Sequence, residues 1–283
     1  MTRLSAGRDA DPSRDITFGV QHDNNESVSR LIMIELKNVS KLYGSKKAVD
    51  GLNLNVPAGK LFAFIGPNGA GKTTTVKMMA GLLHPTSGEI FIDGKDISHD
   101  ALDLKKIVAY IPDQPFLYEK LSGREFLNFI GQVYQIPKSE LNADIDRYLE
   151  LFQMKEYIDQ LIESYSLGMK QKIVITAGIL HKPRLIIVDE PLVGLDPANV
   201  KVVKELFRQL VRNGATIFMS THILSIAQEI ADLIGVIYQG KLIAQGTFEE
   251  LKTRQKKTAN EMSLEDIFLM LCQENYVTTD GHR

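Results

Sequence analysis

A glycine-rich segment that ends in Lys-Thr is the most specific chemical feature of the sequence. Residues 66–73 read Gly-Pro-Asn-Gly-Ala-Gly-Lys-Thr and match the pattern G-x-x-x-x-G-K-[S/T]. Glycines let backbone N–H groups turn inward on a phosphate, and the positive end of a following helix attracts the same charge. Lys72 would then neutralise the β- and γ-phosphates, and Thr73 would offer its hydroxyl to Mg²⁺. A simple glycine turn explains neither residue, so the segment is predicted to bind phosphate.

Two adjacent carboxylates, Asp189 and Glu190, follow an apolar run over residues 185–188. One carboxylate suits the shell of Mg²⁺, and the next suits orienting or deprotonating an attacking water. Successive side chains of a strand point to opposite faces, so Asp189 is assigned to the metal and Glu190 to the γ-phosphate. An Asp-Glu pair after a strand is also a common start of a polar loop. The phosphate-binding segment upstream favours the catalytic interpretation.

Apolar runs of strand length lead into each of these polar segments. Residues 61–65 are continuously apolar and end in the glycine-rich turn, after which a helix is predicted over residues 74–83. The second run ends in the acidic pair, and a third, over residues 215–219, ends in Ser-Thr-His at 220–222. Polar chemistry therefore collects at the carboxyl ends of buried strands, where ligands bind in open α/β sheets.

The remaining periodicity predicts the architecture around these strands. Alternating apolar residues over 33–57 predict antiparallel strands, and helical spacing predicts a helical subdomain inserted at about residues 121–168. The predicted fold is therefore α/β: a P-loop NTPase core with a mainly parallel sheet, an N-terminal antiparallel β subdomain and an inserted helical subdomain.

Three segments are expected along the chain. Residues 1–32 are polar and lack the apolar core and cleavage site of a secretory signal, so they are expected to form a flexible leader. Met33 directly precedes the first strand-like run, which leaves the origin of this leader open. The nucleotide-binding domain is expected over 33–251. A C-terminal extension is expected over 252–283, with a short amphipathic helix whose capped start is Ser263.

Composition excludes several classes of protein. Of 283 residues, 33 are Lys or Arg and 35 are Asp or Glu, so the formal net charge is −2. This balance supplies no basic field for nucleic acid, which is not an expected partner. The single cysteine, Cys272, cannot form an internal disulfide, which fits a reducing compartment. No apolar stretch approaches the roughly 18–20 residues of a membrane span.

Three further segments make the pattern specific to a family. Tyr-Ser-Leu-Gly-Met-Lys-Gln at 165–171 precedes the acidic strand, Gly-Leu-Asp at 194–196 follows it, and Ser-Thr-His at 220–222 closes the next strand. With the phosphate loop, this order resembles that of the ATP-binding cassette (ABC) ATPases over about residues 34–251. The order of the segments carries the resemblance, more than any single residue.

The resemblance implies roles for individual residues. Glu190, His222 and Lys72 would be catalytic, with His222 as the switch histidine. Thr73, Gln114 and Asp189 would hold Mg²⁺, with Gln114 also linking to a transmembrane partner. The implied contacts to ATP are Tyr43, Gly66, Pro67, Asn68, Gly69, Ala70, Gly71, Lys72, Thr73, Thr74, Gln114, Ser166, Gly168 and Asp196. Taken alone, Tyr43 would be a strand-end aromatic, Gln114 a solvated turn residue and His222 a surface histidine.

The signature departs from the family's common Leu-Ser-Gly-Gly-Gln. Leu167 stands in place of the first glycine and Met169 in place of glutamine, whereas Ser166 and Gly168 are kept. This form, together with the terminal Ser-Leu-Glu-Asp-Ile-Phe at 263–268, resembles the branch that exports drugs, antibiotics, ions and bacteriocins. A second departure is Leu-Val at 192–193, where the family usually carries Thr-Ser.

The resemblance implies an ATPase that works as a head-to-tail dimer with a second copy or a homologous subunit, since the phosphate loop and signature of one subunit serve different nucleotides. It implies ATP and Mg²⁺ as cofactors and a separate transmembrane permease as partner. The expected location is cytoplasmic, on the inner face of the cell membrane. Two alternatives stay open: a soluble ABC ATPase that acts on ribosomes or DNA, and an ATP-sensing subunit that hydrolyses poorly.

Overall fold

The computed structural model describes residues 32–254 and 262–280. All of the predicted leader except Ile32 lies outside these residues. The helices and strands, in chain order, are β1 (Ile32–Tyr43), β2 (Lys46–Pro57), β3 (Leu61–Ile65), α1 (Lys72–Met79), β4 (Ser87–Ile92), β5 (Lys95–Asp96), α2 (Ala101–Ile107), β6 (Val108–Ile111), α3 (Gly123–Val133), α4 (Lys138–Leu151), α5 (Leu167–Ile179), β7 (Leu185–Asp189), α6 (Pro197–Arg212), β8 (Thr216–Thr221), α7 (Leu224–Ile230), β9 (Leu233–Tyr238), β10 (Lys241–Gly246), α8 (Phe248–Arg254) and α9 (Leu264–Asp280).

The central sheet has six strands in the order β10-β9-β3-β8-β7-β6. All neighbouring pairs are parallel except β10 with β9, which form an antiparallel hairpin. Every residue of β3 and β7 is buried, because elements cover both faces of the sheet. The continuous apolar runs that predicted these strands therefore reflect two-sided burial.

A second sheet of four strands, in the order β2-β1-β4-β5, is antiparallel throughout. Side chains on its inner face, such as Ile34, Leu36 and Leu54, pack with Phe62 and Phe64 of β3. The predicted α/β class, with a parallel core and an N-terminal antiparallel sheet, is confirmed.

Helix α1 differs from its predicted bounds of 74–83, since it begins at Lys72 and ends at Met79. Gly71, at φ 108°, is the N-cap and lets the chain turn directly from the loop into the helix. Gly81, at φ 68°, follows the C-cap residue and ends the helix early. The phosphate loop is thus joined to α1 without a spacer.

The inserted region contains α3 and α4, as the helical spacing predicted. Ser122 caps α3 in a reciprocal pair with Glu125, and Gly131 lets Leu141 of α4 approach closely, because a Cβ there would lie 2.3 Å from a methyl group of Leu141. The region packs on α5, which leads to the acidic strand β7. Its treatment as a separate subdomain, with the boundaries given above, stays a prediction.

At the C-terminus, Ser263 caps α9 by hydrogen bonds with Asp266. Leu264, Ile267 and Leu271 are buried and Phe268 is half-buried, so α9 packs one face against α7 and α8. Cys272 is half-buried. None of the helices in the described part of the chain has both the length and the apolar character that a bilayer span needs.

Candidate functional site

A hollow of about 560 Å³ lies at the carboxyl edge of the parallel sheet and brings together most of the predicted catalytic and nucleotide-binding residues. It is lined by Tyr43, Lys46, Ala48, Asn68, Gly69, Gly71, Lys72, Thr73, Thr74, Asp113, Glu190 and His222. We call it the nucleotide pocket. Among the predicted site residues, those that do not line it are Gly66, Pro67, Ala70, Gln114, Ser166, Gly168, Asp189 and Asp196.

The phosphate loop is held in a shape that only glycine permits at two positions. A Cβ on Gly66 would lie 2.4 Å from the carbonyl oxygen of Ile237, and one on Gly71 would lie 2.5 Å from that of Ala48. Gly71 also has a φ of 108°. The loop therefore packs backbone against backbone, with Pro67 and Ala70 completing its turn through a hydrogen bond of 3.2 Å from the Ala70 N–H to the Pro67 carbonyl.

Lys72 is buried at the start of α1, and its Nζ donates hydrogen bonds to the carbonyls of Gly66 at 2.7 Å and Pro67 at 3.2 Å. Burial lowers the pKa of Lys72, and the nearby carboxylates of Glu190 and Asp189 partly offset this. The ammonium group is thus held at the loop, where it can neutralise phosphate oxygens.

Asp189 ends β7 and is fully buried. Ser220 Oγ donates a hydrogen bond to its Oδ1, while Oδ2 has no hydrogen-bond partner among the described residues. A buried carboxylate oxygen without a partner is costly, so this atom is suited to a cation or an ordered water. Thr73 lines the nucleotide pocket, and its hydroxyl together with a carboxylate oxygen fits the coordination chemistry of Mg²⁺.

Glu190 leaves the strand at φ 48°, a left-handed conformation that is uncommon outside glycine. Its Oε1 lies 2.8 Å from His222 Nδ1, and its Oε2 accepts a hydrogen bond of 3.2 Å from Thr221 Oγ1. The end of β8 therefore holds both carboxylate oxygens. The arrangement leaves Glu190 at the pocket wall, in a position to orient or deprotonate a water.

Tyr43 ends β1 and is half exposed at the rim of the pocket. Lys41 lies two residues earlier on the strand, with its ammonium 5.5 Å from the centre of the Tyr43 ring. Lys46, opposite Tyr43 across the β1–β2 hairpin, also lines the pocket. An aromatic ring at this rim offers a stacking surface for a base.

The signature residues Ser166 and Gly168, and also Asp196, lie elsewhere, at two exposed helix starts. Ser166 is the N-cap of α5 and Asp196 the N-cap of α6. A Cβ on Gly168 would lie 2.9 Å from the carbonyl oxygen of Gly194, so the two helix starts pack against each other. Neither helix start lines the pocket that holds Lys72.

Gln114 lines a second hollow beside the nucleotide pocket. Its neighbour Asp113 lines both hollows. Both residues lie in the irregular segment after β6. The predicted contact of Gln114 with Mg²⁺ stays a prediction.

Comparison with known proteins decides the family. Residues 49–193 match the model of the ABC transporter family. Over 226 residues the chain is 40% identical to the bacitracin transport ATP-binding protein BcrA of Bacillus licheniformis, covering 80% of this chain and 73% of that protein. The chain belongs to the ABC transporter family.

Other relatives of this ABC protein agree. It is 33% identical over 233 residues to the lantibiotic transport ATP-binding protein SrtF of Streptococcus pyogenes, covering 82% of this chain and 99% of that protein. A solved structure of the ATP-binding subunit of an ABC transporter superposes with a TM-score of 0.80 at 31% identity, covering 84% of this chain and 99% of the other. The predicted family and its ATPase activity are thereby confirmed: the chain is an ATP-binding, ATP-hydrolysing ABC subunit.

Three pocket features of this ABC subunit were missed by the sequence-based assignment. Thr221 supports Glu190, Asp113 faces the pocket, and Lys46 lies at its rim. Thr221 stood beside His222 in a segment that was recognised, so its position at a strand end was the available signal. Asp113 and Lys46 lie next to turns, where no periodicity indicates which side chain faces the ligand.

Proposed function

We propose that this chain is the motor subunit of a membrane exporter and hydrolyses Mg²⁺-ATP at a site that a second ABC subunit completes. One observation carries the proposal: Lys72, Glu190 and His222 share one pocket, whereas Ser166 and Asp196 lie outside it at exposed helix starts. A helix start with free N–H groups binds anions well. The signature is therefore available to a nucleotide held by another subunit.

Each residue of the site in one subunit has a task that its position supports. Thr73 and the unpartnered Oδ2 of Asp189 would hold Mg²⁺, which supplies charge neutralisation between the β- and γ-phosphates. Lys72 binds the same phosphates, and Tyr43 stacks on the base. Glu190 takes the proton of the attacking water while His222 holds its carboxylate in place.

Across the dimer, Ser166 and the first N–H groups of α5, including that of Gly168, would bind the γ-phosphate of the partner's ATP. Asp196 would be exchanged across the same interface. ATP then closes the dimer and hydrolysis reopens it. A membrane partner can couple transport to this change between two states.

A complementation experiment tests this sandwich. Ser166→Arg should abolish cooperative hydrolysis, yet the isolated subunit should still bind ATP through Lys72 and Tyr43. Mixing Ser166→Arg with Lys72→Ala subunits should restore partial hydrolysis, because one intact loop and one intact signature then meet. Ser164→Arg, at an exposed serine two residues earlier, is the matched control and should behave like the parent. No recovery in the mixture, together with full activity of Ser166→Arg alone, would contradict the dimeric site.

The second hollow, of about 560 Å³, supports docking of a transmembrane permease. It is lined by Gln114, Phe116, Phe126, Ile130 and Tyr134. The side chain of Phe116 is 84% exposed. Leu82 also lines the hollow and is exposed, so the lining forms an apolar patch beside the nucleotide pocket. The patch supports a proposal in which the permease, on the inner face of the membrane, docks next to the segment that contains Asp113 and Gln114.

Relatives named for bacitracin transport, lantibiotic transport and daunorubicin resistance support export of antibiotic-like cargo. The ribosome- or DNA-directed alternative gains no support from these names, and the contact between Glu190 and His222 disfavours a subunit that cannot hydrolyse ATP. Purification of the tagged chain from detergent-solubilised membranes should recover a polytopic partner. Phe116→Asp should lose it, whereas Leu102→Asp, at a residue equally exposed on α2, should retain it. Equal recovery by both variants would place the docking surface elsewhere.

A further inference from the structure

Two consecutive residues, Asp113 and Gln114, differ in which of the two hollows they line. Asp113 lines the nucleotide pocket together with Lys72, Glu190 and His222, whereas Gln114 lines only the apolar hollow that contains Phe116. The site therefore contains an acidic side chain where the sequence pattern led us to expect a neutral glutamine.

Strand register explains how Asp113 reaches the pocket. β6 and β7 are parallel, and Ile111 at the end of β6 pairs with Val188. Asp113 comes two residues after Ile111, and Glu190 comes two residues after Val188. Asp113 therefore follows the sheet at the same edge as Asp189 and Glu190.

The phenol of Tyr110 gives a second indication of this proximity. Its hydroxyl is buried and has no hydrogen-bond partner among the described residues. Burial, together with the smaller effect of the negative charges of Asp189 and Asp113, raises the pKa of Tyr110 to about 12. Both carboxylates thus act electrostatically on the same group, which is consistent with Asp113 lying on the Asp189 side of the sheet edge.

We propose that Asp113, and not Gln114, is the side chain by which this segment interacts with metal-bound nucleotide, so that its negative charge makes nucleotide binding depend strongly on Mg²⁺. The inference rests on the proposed nucleotide site. A carboxylate at the pocket wall repels the polyphosphate of free ATP, and it attracts the cation of Mg²⁺-ATP. A neutral glutamine would do neither.

Electrostatics, and not direct ligation, is the effect inferred. Over residues 32–254 and 262–280, no three acidic, histidine or cysteine side chains are grouped closely enough to hold a metal ion. Because Asp113 lines both hollows, its carboxylate lies where the nucleotide pocket meets the surface proposed for the permease.

The experiment measures the dissociation constant of a fluorescent, non-hydrolysable ATP analogue in EDTA and in Mg²⁺. The quantity compared between variants is the dissociation constant in EDTA divided by that in Mg²⁺. Asp113→Asn should lower this ratio roughly fivefold, by tighter binding in EDTA and weaker binding in Mg²⁺, as expected for one partly screened charge. Asp113→Glu, which keeps the charge, should retain the parental ratio. Glu156→Gln removes an exposed charge outside the pocket and controls for net charge.

Gln114→Ala is the rival arm. A ratio that falls in Gln114→Ala but not in Asp113→Asn would assign the role to Gln114 and overturn the proposal. An unchanged ratio in both variants would overturn it as well. Failure of the nucleotide site itself would look different, because Lys72→Ala would then bind the analogue as tightly as the parent protein does.

Discussion

Glu190→Gln is the substitution that most directly tests the chemistry of the pocket. The amide has the size and shape of the carboxylate, and it can keep the left-handed backbone at φ 48° because no atom is added. It loses the negative charge and the ability to accept a proton from water. Binding and hydrolysis should therefore respond differently.

The expected magnitudes follow from the contacts of Glu190. Gln can offer its oxygen to only one of His222 and Thr221, and its NH₂ group, which donates, replaces the second accepting oxygen, so at most about one hydrogen bond is lost. Such a loss costs on the order of 1 kcal/mol in the protein without nucleotide. Removal of a positioned general base costs roughly 10²-fold or more in turnover. ATP affinity should stay nearly intact, or rise, because a negative charge beside the γ-phosphate is gone.

Two measurements on the same preparation separate these effects. Phosphate release under single-turnover conditions reports hydrolysis, and equilibrium titration with a fluorescent nucleotide reports binding. Size-exclusion chromatography with ATP should show a trapped dimer. Glu156→Gln again serves as the charge control. Turnover within threefold of the parent protein would remove Glu190 from the general-base role, and a parallel collapse of ATP affinity would show that it is structural.

Three further outcomes are expected. Lys72→Ala should weaken ATP binding itself, because the ammonium meets ground-state phosphate charge and also ties the carbonyls of the loop; an unchanged affinity in nucleotide titration would contradict this. Gly194→Ala should reduce cooperative hydrolysis while the single subunit still binds ATP, because φ is 81° and the new Cβ would lie 2.7 Å from Leu167 of the signature; ATP-driven dimerisation equal to the parent's would refute it. His181→Phe should reduce the loss of stability in acid. Burial lowers the pKa of His181 to about 4, so in the parent protein the free energy of unfolding falls by at most about 3 kcal/mol as pH drops from about 6.5 to about 4. If denaturant unfolding at pH 7 and pH 4.5 gives the same difference in stability for both proteins, this contribution is excluded.

The sequence predicted the parts of the site that lie on regular elements. Continuous apolar runs located β3 and β7 because both strands are buried on two faces, and the strand ends then located the loop at residues 66–73 and the pair Asp189 and Glu190. The start of α1 was misplaced by two residues, because a cap formed by Gly71 at positive φ leaves no periodic signal. The order of the motifs, and not their individual residues, was enough for the family.

Irregular segments could not be predicted to the residue. After β6 the chain has no repeating pattern, so the sequence did not show that Asp113 lines the nucleotide pocket while Gln114 lines only the adjacent hollow. Which of the two side chains faces the pocket depends on the direction in which the backbone leaves β6, and no sequence pattern indicates that direction. A shift of one residue there changes the charge of the side chain that faces the nucleotide.

The departure at residues 192–193 shows how tertiary contacts can replace a local pattern. Leu192 is buried and Val193 is partly exposed, so neither offers the hydroxyl that the family usually carries after the catalytic glutamate. Asp189, the last residue of β7, pairs in register with Ser220 of β8. In the next pair of residues, Thr221 Oγ1 donates a hydrogen bond of 3.2 Å to Glu190 Oε2. Because this support for the carboxylate comes from the neighbouring strand, an apolar pair at 192–193 is compatible with a correctly oriented general base.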